Sequence, residues 1–306
     1  MLEREEYIEQ AYLFRVIGER LPDNIPLQEI LEHVRHELLV TTKLPLAVDY
    51  LLSELRHTGS MASAMKRMEH YFAPFQTYVI AEAESDRGRF DIRTAVDVLR
   101  REAEYRASGK GPQGLFLYQF ECLCRNRLRY DPGLGAMARD PVYDQPWRDW
   151  ILIVRGQIGL VDLADLIFIR SEEFKIRLKQ HNHSPVENTN AVEQGVEETE
   201  TSNEPGKPVL FGQREGRIAW ANRQKDPLFL FAAMQRQLGY PAVPRLKVID
   251  PSDDLIPQLQ RRIDALELRL KLMEEENRGG IDITQFYGGK LPSEFQGIDP
   301  DKLREP

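Results

Sequence analysis

Cysteine is nearly absent from this chain. Cys122 and Cys124 are the only two in 306 residues, and they are too few and too close together for a disulfide framework, so a reducing compartment is expected. Long apolar runs are missing as well. The most apolar window, Ile151 to Ile169, is interrupted by Arg155, Asp162 and Asp165, whereas crossing a bilayer takes ~20 consecutive apolar residues. The opening MLEREEYIEQ is acidic and has no apolar signal-peptide core. Together these shortages predict a soluble, cytoplasmic protein without membrane insertion. Positive charge is also in deficit: the formal net charge is −8, which disfavours sequence-independent nucleic-acid binding through phosphate neutralisation. Alternating β-branched runs do not occur in the first 180 residues, and a Gly-x-Ser-x-Gly elbow, a dinucleotide fingerprint and an HExxH pair are absent.

What is present is helical periodicity. Hydrophobic residues make up 42% and charged residues 29% of the chain, an ordinary balance for a globular protein with room for a core. Residues 1–20 read as an opening helix with Tyr7, Ile8, Ala11, Leu13, Phe14 and Ile17 on its apolar side, ended by Pro22 and Asn24. Ser60 is placed to N-cap a helix carrying Met61, Ala64, Met65 and Met68. Phe72 and Pro74 interrupt it, a second helix presents Phe75, Val79 and Ile80, and a third from Asp91 buries Ala95, Val98, Leu99 and Ala103. Short helices joined by tight turns predict antiparallel neighbours in a bundle.

The order Gly59, Ala62, Ala64, Phe72, Pro74, Ile80, Glu84, Gly88, Phe90, Leu99, Ala103, Glu104 resembles the cytoplasmic F domain of type II secretion and type IV pilus platform proteins. The upstream segments Ile25–Val34 and Leu44–Leu55, each an apolar-Pro-Leu start before an amphipathic run, look like that domain's earlier helices. The similarity covers residues 21–106. Ala83 stands where the family has Gly, the interval from Glu84 to Gly88 is one residue longer, and no membrane anchor accompanies it. The resemblance implies a helical assembly domain with partners in an inner-membrane complex, such as an assembly ATPase.

Further along, Ser108–Gly114 reads as an interhelical loop, since SGKGPQG lacks phosphate-loop spacing. Helices are expected over Leu115–Leu128 and Gln145–Ile158, with Tyr130–Pro146 as a loop of YDPG and RDP turns and Leu160–Phe174 as a buried segment. Residues 181–207 contain six glutamates and no aromatic, a composition that predicts a disordered acidic linker. Asp226 as N-cap, Pro227 and Gly239 bound a helix that is apolar nearly all round. Residues 208–249 are therefore expected to fold back onto the 1–180 bundle.

The last regular element is expected at 252–278, before a flexible tail at 279–306. Ile256, Leu259, Ile263, Leu266, Leu270 and Met273 alternate steps of three and four, a coiled-coil seam of about three heptads. With Ile256 at position a, Arg262 and Arg269 fall at g and Glu267 and Glu274 at e. This pairing favours a parallel homodimer. Leu268 and Leu272 outside the seam fit the other reading, an amphipathic helix docked on its own domain.

No catalytic constellation emerges, and no cofactor or metal is implied. His181 and His183 have no third ligand, and His33, His36, His57 and His70 are scattered. Cys122 and Cys124 read as small buried hydrophobes, and Arg125, Arg127 and Arg129 as partners in intramolecular ion pairs. The fold class is thus all-α: a multi-helix antiparallel bundle with an acidic linker and a coiled-coil-like helix. The function read from it is a non-enzymatic interaction or scaffold protein. The alternatives are an enzyme with its site in the aromatic-rich 115–240 region, or a nucleic-acid-binding regulator acting through Arg125–Arg129.

Overall fold

The computed structural model describes residues 2–23, 25–85, 90–183 and 208–245. The expected linker from 184, the 252–278 helix with its seam residues, and the tail lie outside them. The described chain is all-α, with thirteen α-helices and no sheet among the described residues. They are α1 Arg4–Arg20, α2 Leu27–Val34, α3 Leu44–Thr58, α4 Met61–Arg67, α5 Pro74–Ala83, α6 Ile92–Ala107 and α7 Pro112–Arg125. The remainder are α8 Tyr130–Ala138, α9 Gln145–Gln157, α10 Leu163–Ile169, α11 Glu172–His183, α12 Gln213–Ala221 and α13 Pro227–Leu238. Among the described residues no helix is long and apolar enough to cross a membrane.

Local chemistry sets the helix ends. At the start of α4, Ser60 Oγ accepts from Ser63 N at 3.2 Å, and Glu84 accepts from Met61 N at 2.6 Å and Ala62 N at 3.1 Å. Three amides that the helix leaves free are thereby satisfied, and the end of α5 is tied to the start of α4. Asp226 accepts from Leu228 N at 2.8 Å. Gly59 and Gly239 adopt the left-handed conformation, at φ +71° and +62°, that terminates α3 and α13.

Helix α1 packs along α6 in the most extensive pairing of the fold. Tyr7 near the start of α1 faces Arg106 near the end of α6, so the two run in opposite directions. Leu13, Phe14 and Ile17 are buried on α1, and Ala95, Val98, Leu99 and Ala103 on α6. A polar cluster lies beneath them. Arg106, 3% exposed, contacts Glu102 at 2.9 Å and also Asp140, both carboxylates being fully buried. Gln119 on α7 donates to Glu102 at 2.6 Å and accepts from the Tyr143 hydroxyl at 2.9 Å. Burial alone would push the Arg106 guanidinium down, but Asp140 and Glu102 outweigh it and hold it well above its ordinary value.

The 208–245 segment is laced onto the same helices. Lys110 donates to the Gly239 carbonyl at 2.8 Å, Arg101 to Ala242 at 2.7 Å, Asn126 to Pro244 at 3.1 Å and Gln113 to Leu210 at 2.9 Å. Phe211 packs edge-on against Trp147 and Trp150, and Phe231 lies tilted against Phe120.

Several expectations are corrected. The stretch from Tyr130, read as a loop, opens with helix α8. Its Gly133 lets the helix press against α7 and α5, where a Cβ would meet Leu123 at 2.7 Å and Tyr78 at 3.1 Å. The Leu160–Phe174 stretch is two helices, α10 and α11, parted where Leu210 and Phe211 amides bond to the Arg170 carbonyl and Ser171 accepts from Phe174 N. Helix α11 continues to His183, past the expected linker start at 181. Ile8 is exposed rather than core, and α13 buries Leu230, Phe231 and Met234 while leaving Leu228 and Phe229 in solvent.

The buried cluster yields a comparison. Arg106→Met leaves two carboxylates without a counter-charge and should cost about 3–5 kcal/mol. Arg56→Met, at a pair with Glu32 in which both side chains are largely exposed, should cost no more than about 1 kcal/mol. Urea denaturation of both variants measures this, and equal losses would show that the cluster does not hold the fold.

Candidate interaction surfaces

The connection from α2 to α3 turns apolar side chains outward. In Leu38–Leu46, Leu38 and Leu44 point into the core, whereas Leu39 is 55%, Val40 92% and Leu46 73% exposed. Tyr50, one turn beyond Leu46 on α3, is also exposed. This corner is firmly held. Glu9, buried on α1, accepts from Leu39 N at 2.9 Å, and Glu6 accepts from Lys43 N at 2.8 Å and from the Tyr71 hydroxyl at 2.8 Å. Gln10 donates to the Tyr71 carbonyl and accepts from Gln76. Burial, followed by the neighbouring Glu6, pushes the Tyr71 phenol up, so it remains a donor. Two carboxylates inside the protein thus fix a backbone whose side chains face water.

A second surface is formed by α11, α12 and the turn after α12. Trp220, 37% exposed, has the guanidinium carbons of Arg177 and Arg223 at 4.3 Å and 3.2 Å from its ring centroid. Phe168 packs against it at 4.6 Å. Glu173 accepts from Arg177 and from Arg217, each at 3.0 Å, and from Gln213 at 3.2 Å. Burial works against the charge on Glu173, but these donors prevail and hold its carboxyl below the ordinary 4.5. A third feature is an open groove of about 450 Å³ between α1 and α6, lined by Ile8, Ala11, Tyr12 and Arg15 on one side and Glu104 and Ala107 on the other.

The residues singled out from sequence fall as follows. The seam residues Ile256, Leu259, Ile263, Leu266, Leu270 and Met273, and the charges Arg262, Glu267, Arg269 and Glu274, lie outside the described residues. Arg125 pairs with Glu121 and Arg129 with Glu82, while Arg127 is exposed at φ +53°. His33, His36, His57 and His70 are all exposed, and no group that could hold a metal occurs among the described residues. Burial pushes up the Cys122 thiol and raises Cys124 to about 11. Lys110 of the SGKGPQG loop is engaged by the Gly239 carbonyl. In the aromatic-rich region, Phe116, Trp147, Trp150 and Phe211 fill one core with rings in mutual contact.

Of the residues that carry the resemblance, Ala62, Ala64, Phe72, Ile80, Phe90, Leu99 and Ala103 are buried, Pro74 opens α5 and Glu84 caps α4. Gly88 lies outside the described residues. Comparison of the chain with protein-family models, curated proteins and solved structures finds no match.

Sequence reasoning missed Glu6, Glu9 and Gln10 as inward-facing groups. Their spacing with Leu13 and Ile17 was the available signal, because positions 6, 9, 10, 13 and 17 share one helical face. Glu9→Ala should free the Leu39 amide and cost about 1.5–3 kcal/mol, the range for a hydrogen bond to a charged group. Amide exchange at Leu39 should accelerate with little change in the α7 amides, and unchanged exchange would overturn the pinning role.

Acid provides another check. Because the folded Glu173 carboxyl is held below 4.5, its contribution is present above that value and is lost as pH falls through the folded one. Trp147 and Trp150 are buried, so emission changes on mild acidification should report Trp220. The acid-side step should vanish in Glu173→Gln, and its persistence there would assign it to another group.

Proposed function

We propose that this chain is a non-enzymatic interaction protein, a scaffold that presents a preformed apolar corner to a partner. The observation that carries this reading is the exposure of Leu39, Val40 and Leu46 on a backbone pinned by the buried Glu6 and Glu9. Covering exposed apolar area is favourable by about 25 cal/mol per Å². A corner already held in one conformation also loses little further freedom on binding. The corner falls inside the 21–106 stretch that resembles the secretion and pilus platform F domain, which supports a cytoplasmic partner belonging to an assembly machine. On this reading the 252–278 seam pairs two copies in parallel, so that each assembly carries two corners.

Two measurements test the proposal. A photo-crosslinking side chain placed at Val40 should give one discrete adduct in cells, lost when Leu46→Lys is added. A smear that is unchanged by Leu46→Lys would overturn the corner as a binding site. Light scattering of the full chain and of a chain ending at Asp250 should show a dimer falling to a monomer. A monomer in both would remove the homomeric seam.

A further inference from the structure

We propose that the face formed by Arg177, Arg217, Trp220 and Arg223 is a docking site for an acidic peptide segment of a partner, bound through its carboxylates. This inference concerns a different face from the Leu39–Leu46 corner and does not rest on it.

The geometry of the stack comes first. Two guanidinium carbons lie 4.3 Å and 3.2 Å from one ring centroid, so Arg177 and Arg223 both stack on Trp220. Phe168 closes the inner side at 4.6 Å. A stacked guanidinium keeps its N–H edge in the plane of the stack, directed outward, and its rotamers are restricted before any ligand arrives.

The donors are also underused. Arg177 and Arg217 each give Nε to the same carboxylate, Glu173, so one negative charge serves two guanidinium groups. Arg223 Nη1 lies 3.7 Å from Asp165 Oδ1, beyond hydrogen-bond distance, while its Nε is buried, so only its Nη groups can meet a ligand. An arginine carries five donors, so Arg177 and Arg217 keep their Nη groups beyond the Nε that each gives to Glu173. Lys175 on α11 and Arg214 on α12 add positive charge, against a chain whose net charge is −8. The local sign therefore opposes the global one, which is the condition for steering an anionic segment to one place.

The stack also discriminates between anions. Single-stranded nucleic acid gains affinity by laying bases on open aromatic faces, and the Trp220 ring is already contacted by Arg177, Arg223 and Phe168. What remains is a row of planar forks, whose geometry matches carboxylates two oxygens at a time.

The test is fluorescence anisotropy of a fluorescein-labelled poly-glutamate peptide with the full chain, with poly-glutamine as the neutral counterpart. Binding of the glutamate peptide alone is expected. Arg177→Gln and Arg223→Gln should each weaken it about tenfold, as removal of a charged hydrogen bond does. Arg223→Lys should weaken it severalfold, because a lysine keeps the charge but not the fork or the stack. Arg155→Gln, at an exposed pair with Asp131, should leave affinity unchanged, as should any variant whose effect is only to remove a surface charge. The same titration is run on a chain with Glu187, Glu193, Glu197, Glu198, Glu200 and Glu204 replaced by glutamine, which removes a tethered competitor. Tighter or equal binding by that chain supports the proposal. Absence of peptide binding by both chains overturns it, and so does binding of a single-stranded oligonucleotide in place of the peptide.

Discussion

A guanidinium taken out of water has to bring counter-charges with it, and Arg106 brings two. Glu102 lies one helical turn before it on α6, and Asp140 comes from the corner between α8 and α9. The desolvation of three charged groups is offset only while all of them keep their geometry. The surroundings accordingly over-determine them: Gln119 of α7 holds Glu102, Tyr143 holds Gln119, and the ring of Tyr7 from α1 lies over the guanidinium. Glu102 Oε2 and Arg106 Nε still have no partner, which makes the site intolerant of slack. Helix α6 is therefore gripped from both sides, by α1 ahead of it in the chain and by α7 to α9 behind it. The apolar corner and the arginine face are carried on one frame organised around this helix.

Much of that frame could be read in the chain. The spacing of Leu13, Phe14 and Ile17 on α1, and of Ala95, Val98, Leu99 and Ala103 on α6, is a signal that burial follows directly, because a helix has one face to bury. Ser60, Asp226 and Gly239 also acted as their chemistry dictates. The reading failed where a residue had a second physical use. Gly133 in YDPG permits a turn, but it also permits helix α8 to approach Leu123 and Tyr78 more closely than any side chain would allow. The latter use prevailed, since α8 packs against both α7 and α5. Ser171 looked like one more position in an apolar segment. It divides α10 from α11 because the chain returning at Leu210 and Phe211 hydrogen-bonds there, a contact with a partner about 40 residues away that no local pattern encodes.

The surfaces were less legible than the core for a related reason. Hydrophobic patterning assigns apolar residues to the inside, yet exposure of an apolar side chain is decided by tertiary packing and is common. Leu44 and Leu46 belong to one Pro-Leu start, and one is fully buried while the other is largely exposed. On α13, Leu230 and Phe231 are buried while Leu228 and Phe229 are not. The arginine stack was hidden differently. Trp220 is separated from Arg177 by the whole 184–207 stretch, so their contact exists only in the fold.

The usual arrangement, apolar inside and polar outside, is inverted at the α2–α3 corner. Glu6 and Glu9 are buried to hold backbone amides, and the leucines and valine of that backbone are left in water. Burying a carboxylate is unfavourable unless its oxygens find donors, and an uncovered apolar group gains nothing from folding. The carboxylates do find donors and so stabilise the fold, whereas the exposed half adds nothing to the stability of the isolated chain. The exposed half would become favourable if another surface covered Leu39, Val40 and Leu46, because the apolar area would then be removed from water by a corner whose shape the glutamates have already set. On the proposed reading, the glutamates that hold this backbone and the apolar side chains it exposes serve one contact.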